Sequence, residues 1–135
     1  RRDQGESVSG NRRMITLTLP LPPRALSPNA RGHWAAKSRA VKAYRHRAEM
    51  TARVNVPPSR RAKWRSAEVR WTWYLPDRRR RDPDNLAASC KSLWDGLRDA
   101  GILADDDRLV IHPPTLEIDR ANPRLVITLT ERDEA

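Results

Sequence analysis

The chain has 135 residues, of which 38% are apolar, enough to form one domain around a single modest core. Its formal net charge of +10 and pI of about 11.1 favour a polyanionic partner such as nucleic acid, although a merely solvated basic surface stays open as an alternative. The apolar runs are only as long as strands, which argues against a membrane span, and the N-terminus has no apolar leader of the kind that marks a secretory signal. The single cysteine, Cys90, cannot form an internal disulfide. We therefore expect a cytoplasmic protein with no membrane partner.

The first part of the chain is predicted to form a strand, a stiff loop and a long helix. Apolar residues alternate with threonines from Ile15 to Leu19, which is the period of a half-buried strand. Prolines between residues 20 and 28 preclude regular structure there. A helix is then expected from about residue 29 or 32 to about residue 55, before two prolines. Its predicted apolar face consists of Trp34, Val41, Tyr44, Ala48 and Ala52.

The middle of the chain is predicted to form a strand and a second helix. The strand runs from about Ala67 to Leu75, and we assign Trp71 and Trp73 to the core or to packing between two copies rather than to base stacking. A charged loop at residues 77–81 leads into the helix, and Gly101 is a suitable C-cap at its end. The apolar face of this helix consists of Leu86, Cys90, Leu93, Trp94 and Leu97.

The last part of the chain is predicted to form two strands. Residues 105–107 are expected in a loop, 109–119 in a bulged or edge strand because it contains two prolines, and 125–129 in a closing strand. The order β-α-β-α-β-β predicts an α/β (α+β) fold, a single small domain with helices packed on a mixed four-stranded sheet. The predicted division is a disordered tail at 1–13, a domain at 14–131 and a C-terminal tail at 132–135.

The motif Asp82-Pro83-Asp84-Asn85 carries the most chemical information. Residues two apart in extended backbone point to the same side, so Asp82 and Asp84 can direct both carboxylates at one point. Adjacent carboxylates repel unless a cation lies between them, and oxygen ligands favour magnesium. The alternative is structural: Asp82 is the N-cap, Pro83 the first helical residue, and Asp84 complements the helix dipole. The motif alone does not decide between the two.

A second acidic group and one lysine extend the pattern. A returning strand could bring a carboxylate of Asp105, Asp106 or Asp107 back to the first pair, although alone they are more typical of a solvated turn. Acids in a DNA-binding protein weaken its attraction to phosphate, so they need a reason such as metal binding. Lys91 lies seven residues after Asp84, on nearly the same face of the predicted helix, and helical side chains lean toward the N-terminus, here toward the carboxylates. The alternative to an active-site role is that Lys91 is a solvated surface charge.

Several blocks of sequence, in order, resemble the RusA family of Holliday-junction resolvases, the crossover junction endodeoxyribonucleases. The blocks are Asp77 to Leu86, Lys91, Asp95-Gly96-Leu97, Ala100-Gly101 and Asp105-Asp106, preceded by a proline-rich segment at Leu19 to Pro23 and Ser27-Pro28-Asn29. The resemblance covers most of residues 14–131. Lys91 departs from the family pattern, because it lies three residues further along the chain than the family's lysine.

The resemblance implies Mg²⁺-dependent hydrolysis at a four-way DNA junction by paired symmetric nicks, in a homodimer with one active site per subunit. It implies a bacterial or phage protein of DNA recombination and repair, with no organic cofactor. Two hypotheses compete: a metal nuclease for other branched or single-stranded nucleic acid, and a non-catalytic nucleic-acid-binding protein. The implied catalytic residues are Asp82, Asp84, Lys91 and Asp106, and the three aspartates are the implied metal ligands. The implied DNA-binding residues, which would contact phosphates, are Arg78, Arg79, Arg80 and Arg81. The alternative is that these arginines merely form an exposed charged loop.

Overall fold

Alternating apolar and threonine side chains form the first strand, β1 (Met14–Leu19), whose apolar residues after Met14 are buried while the threonines are exposed. In the computed structural model, which describes residues 13–133, β1 pairs antiparallel with the last strand, β5 (Arg124–Glu131). The same alternation buries one side of β5. β5 also pairs antiparallel with the central strand, β2 (Trp64–Leu75), which begins earlier than predicted. These three predicted strands are confirmed.

Two short strands share the other edge of β2. β3 (Leu103–Ile111) pairs parallel with its first half, and β4 (Thr115–Ile118) pairs parallel with its last residues. Pro113 and Pro114 separate β3 from β4, because proline cannot donate a hydrogen bond to a strand ladder. The prediction of an edge interrupted by prolines is confirmed, and so is the mixed sheet. The predicted single strand is two, however, so the sheet has five strands rather than four.

The long helix α1 (Trp34–Asn55) packs on the sheet through its central and C-terminal turns. Its buried residues are Tyr44, Ala48 and Ala52, as predicted. The predicted apolar face is wrong at the start of the helix, where Trp34 is 75% exposed and Val41 is 36% exposed. The hydroxyl of Tyr44 donates a hydrogen bond of 2.7 Å to the carbonyl of Pro20, which ties the proline-rich loop to the helix.

The predicted second helix is two helices, α2 (Pro83–Ala88) and α3 (Lys91–Asp99). The break lies at Ser89, whose hydroxyl donates a 2.6 Å hydrogen bond to the carbonyl of Leu86. α3 packs closely against α1 at Gly96, where an added Cβ would lie 2.3 Å from a backbone oxygen of α1. This close packing places α3 on the same side of the sheet as α1.

The core between the sheet and the helices holds four of the five tryptophans, Trp64, Trp71, Trp73 and Trp94. The assignment of Trp71 and Trp73 to the core is therefore confirmed. Cys90 is also buried, and burial raises the pKa of its thiol to about 12, which makes the thiol unreactive.

The predicted tail at residues 1–13 lies outside the described residues except for Arg13, whose guanidinium pairs with the Glu131 carboxylate at 2.8 Å. Residues 134–135 also lie outside them. None of the helices within residues 13–133 is both long enough and apolar enough to cross a membrane.

Candidate active site

The motif from Asp82 to Asn85 opens α2, a short distance beyond the end of the central strand. Asp82 is the N-cap: its Oδ1 accepts a hydrogen bond from the backbone N–H of Asp84 at 2.8 Å, and Pro83 is the first helical residue. The structural role considered for this motif is therefore present. A carboxylate has two oxygens and accepts several hydrogen bonds or ligands, and both aspartates are exposed. Capping therefore leaves Asp82 able to bind a cation.

Asp82 lines a cleft of about 280 Å³ between α2 and the proline-rich loop. Arg24 and Ser27 of that loop and Arg81 from the opposite side also line it, and Trp73 of the core contributes to its wall. The proline-rich segment appeared in the sequence pattern without a role. The structure shows that this segment forms one side of the cleft, and that Arg24, which sequence analysis did not single out, lines the same cleft as Asp82.

The four arginines of the 77–81 loop play different structural roles. Arg81 is 19% exposed, and its guanidinium donates to the carbonyls of Asp77 and Arg79 at 3.0 and 2.9 Å and pairs with the Asp77 carboxylate at 2.9 Å. Hydrogen bonds from the Arg79 backbone and the Arg81 side chain lower the pKa of Asp77. Arg81 therefore holds the shape of the loop, while Arg78, Arg79 and Arg80 are exposed to solvent.

Lys91 is the first residue of α3, so the argument from continuous helical spacing to Asp84 does not apply to it. Lys91 is exposed and lines a second cleft, of about 340 Å³, with Lys37 of α1. Ser89 lines both this cleft and the cleft of Asp82, so the two clefts adjoin at the turn between α2 and α3. Lys91 is thus close to the aspartate motif through the turn rather than along a helix.

The prediction that residues 105–107 form a loop is wrong, because they lie in β3. The ladder is irregular at this point: Leu103 pairs with Trp64, but the next paired residue of β3 is Arg108, opposite Ser66. β3 therefore carries extra residues here, as in a bulge. The three consecutive aspartates occupy this irregular segment.

Asp107 is a structural residue rather than a ligand candidate. Its side chain is 2% exposed and accepts hydrogen bonds from Arg98 Nε at 2.6 Å and Nη2 at 3.0 Å. Arg98 also donates to Asp95 at 2.7 Å. Hydrogen bonding to Asp107 is the main cause that raises the pKa of Arg98, and the pair joins α3 to β3.

Asp106 is exposed, and its carboxylate lies 3.7 Å from Arg65 on the first half of β2. The cleft of Asp82 instead contains Trp73, eight residues further along β2. At about 3.3 Å per residue, Arg65 and Trp73 are roughly 26 Å apart along the strand, so Asp106 and Asp82 lie beside different parts of it. Within residues 13–133, no three His, Cys, Asp or Glu side chains lie close enough to hold a metal ion. One copy of the chain therefore does not bring Asp106 to Asp82 and Asp84, and their joint metal site stays a prediction.

The comparison with known families agrees with the order of the sequence blocks. The model of the family described as endodeoxyribonuclease RusA matches residues 20–130. The chain belongs to the RusA family. A protein of Xylella fastidiosa (strain Temecula1 / ATCC 700964), described as an uncharacterized protein, is 40% identical to this RusA-family chain over 133 residues, covering 92% of this chain and 81% of that protein. The resemblance inferred from the motifs is confirmed, and the matched range includes both clefts.

The donor atoms around the first cleft of this RusA-family chain suit a hard cation in part. Asp82 lines the cleft and the exposed Asp84 follows it at the start of α2, and carboxylate oxygens are the ligands that magnesium prefers. Among the described residues, neither histidine nor cysteine lines the cleft. Two carboxylates are a sufficient protein contribution for magnesium, which commonly keeps several waters or phosphate oxygens in its shell.

Proposed function

We propose that this chain is a Mg²⁺-dependent endodeoxyribonuclease that resolves Holliday junctions by paired symmetric nicks in DNA recombination and repair. The observation that carries the proposal is the exposed pair Asp82 and Asp84 at the start of α2, beside a cleft lined by arginines, in a chain of the RusA endodeoxyribonuclease family. The net charge of +10 supports a DNA partner, because phosphate contacts supply most of the affinity of proteins for DNA.

Asp82 and Asp84 would hold the magnesium ion, which when bound supplies Lewis-acid polarisation of the scissile phosphate and lowers the pKa of a water. The protein's own residues position the substrate. Arg24 lines the cleft beside Asp82 and would bind a phosphate oxygen of the DNA backbone there. Lys91, across Ser89, would stabilise the negative charge that develops on the phosphate oxygens.

The proposal includes a homodimer in which Asp106 of the partner subunit completes each site. Asp106 pairs with Arg65 near the start of β2, whereas the cleft of Asp82 contains Trp73 near its end, so a site with all three carboxylates needs a second copy. A two-fold dimer has two equivalent sites, and a four-way junction must be cut in two strands of like polarity. Symmetric nicking would then follow from the symmetry of the protein.

Two other functions share much of this geometry. A metal nuclease for flaps or single strands would use the same aspartates, and a non-catalytic binder is favoured by the observed capping role of Asp82. The test is incubation of the chain with an immobile four-way junction, a matched duplex and a flap, with and without Mg²⁺. Paired nicks in the junction alone support the proposal. Equal cutting of flaps supports the broader nuclease, and tight binding without cutting under any divalent ion supports the binder.

Substitution of the aspartates tests the site itself. D82N and D84N should each abolish cutting while junction binding is kept, because each removes a negative charge but little volume. Asparagine is as good an N-cap as aspartate, so D82N should fold normally. D133N, which neutralises an exposed aspartate in the C-terminal segment, is the matched control and should cut like the wild type. Cutting at the wild-type rate by D82N or D84N would show that the metal site is misplaced.

A further inference from the structure

One tryptophan is not used by the fold or by the proposed chemistry. Trp34 is 75% exposed, whereas the other four tryptophans are buried. Its ring stacks on His33, with centroids 5.7 Å apart and planes at 28°. Tryptophan has the largest apolar surface of the side chains, so its exposure at the start of α1 is a feature that needs an explanation.

The 340 Å³ cleft that contains Lys91 lies between α1 and α3, and we call it the α1–α3 groove. Lys37 and Val41 line this groove, and they follow Trp34 by three and seven residues on the same face of α1. The floor of the groove is apolar, from Leu26, Val41 and Ala88. Trp34 is therefore one helical turn beyond Lys37, on the face of α1 that borders the groove.

The charges of the α1–α3 groove suit an anion. Lys37 lines the groove from α1 and Lys91 lines it from α3. Lys91 is the first residue of α3, where a positive side chain is unfavourable unless an anion lies near it. No acidic residue occupies the first turn of α3. Asp95 also lines the groove, but its carboxylate accepts a hydrogen bond from Arg98 at 2.7 Å. The lysines of the groove thus point to an anionic ligand, while its apolar floor and the exposed ring of Trp34 point to an apolar or aromatic one.

We infer that the α1–α3 groove binds one unpaired nucleotide of the DNA strand next to the proposed active site. The base stacks on Trp34, and the phosphate lies between Lys37 and Lys91. Ser89 lines both this groove and the cleft of Asp82, so the strand is continuous between them. Stacking of unpaired bases on aromatic rings is a general mode of binding to single strands, and a closed duplex offers no such base. The groove therefore selects DNA opened at a branch point, an inference that rests on the proposed function.

The test is a binding experiment with the full chain and no divalent metal. The probe is a four-way junction with 2-aminopurine at the branch point, and the reference is a duplex with 2-aminopurine at an internal base pair. We expect the wild type to change the 2-aminopurine fluorescence of the junction but not of the duplex. W34A should lose this change and bind the junction about tenfold more weakly, as removal of one stacking aromatic does, while W34F keeps most of both.

Two matched controls come from the same helix. Val54 is 80% exposed on α1 but does not line the groove, so V54A should behave like the wild type. Lys42 is exposed on another face of α1, so K42Q should weaken junction binding less than K37Q does. Junction binding and fluorescence that are the same in W34A as in the wild type overturn the inference. A change in oligomeric state of W34A in sedimentation also overturns it, because Trp34 would then contact a second copy. If Trp34-dependent fluorescence is seen but the wild type cuts no DNA, the groove stands and the nuclease proposal fails.

Discussion

Replacing Asp107 by asparagine should destabilise the fold by about 2 kcal/mol, whereas the same change at Asp105 or Asp106 should cost less than about 0.5 kcal/mol. The three aspartates are consecutive, so sequence does not distinguish them. In the structure, however, Asp107 is 2% exposed and accepts two hydrogen bonds from Arg98, while its two neighbours are exposed. The prediction separates a structural aspartate from a candidate ligand.

The magnitude follows from the pair with Arg98. A hydrogen bond to a charged group is worth about 1.5–3 kcal/mol, and breaking a fully buried ion pair costs about 3–5 kcal/mol. Arg98 is 26% exposed and keeps its hydrogen bond to Asp95, so the lower part of these ranges applies. Asparagine has nearly the same size as aspartate, but its NH₂ group would face an N–H of the guanidinium. At least one hydrogen bond is therefore lost.

The measurement is urea and thermal unfolding followed by circular dichroism. A loss of about 2 kcal/mol corresponds to a decrease in Tm of roughly 8 °C for a domain of this size. D105N and D106N are the matched controls, with the same chemical change one or two residues away. A decrease below about 0.5 kcal/mol for D107N, or an equal decrease for D106N, would contradict the assignment of roles.

Two further predictions concern stability. G96A should destabilise the protein by about 1–3 kcal/mol in urea unfolding, because the added methyl group would lie 2.3 Å from the carbonyl oxygen of Arg45. Wild-type stability of this variant would contradict the close contact of α1 and α3. Lowering the pH from about 5 to about 3 should decrease the free energy of unfolding, because hydrogen bonds from Arg45 lower the pKa of Asp99 and the unfolded chain then binds the proton more readily. D99N should make the free energy of unfolding less dependent on pH in this range, whereas D133N should not. An equal pH dependence in the wild type, D99N and D133N would contradict the contribution of Asp99.

Strand periodicity could be read from the sequence because it reflects a local rule. In β1 and β5 every second residue faces the core, and the apolar residues of each strand match that period. The core positions of α1 followed from helical spacing in the same way, with Tyr44 and Ala48 one turn apart. The start of α1 did not, since Trp34 and Val41 have the correct spacing but lie on the turns that precede the buried part of the helix.

The arrangement of the candidate site depended on contacts that no local pattern contains. The break at Ser89 divides an apolar face that is continuous in the sequence, and so moves Lys91 from the middle of a helix to its first residue. The pair of Asp107 with Arg98 exists only because β3 pairs parallel with β2 beside α3. For the same reason the position of Asp106, far along β2 from Asp82, could not be foreseen from the chain order.

The proposed active site combines Asp82 and Asp84 of one copy with Asp106 of another. Mixing D82N with D106N tests this directly, because each variant alone has no complete site in a homodimer. A mixed dimer would contain one complete site, formed by Asp82 of the D106N chain and Asp106 of the D82N chain. After subunit exchange, we expect Mg²⁺-dependent single nicks in the four-way junction at roughly a quarter of the wild-type level. Absence of nicking at every mixing ratio, with exchange verified by tagged subunits, would contradict the shared site.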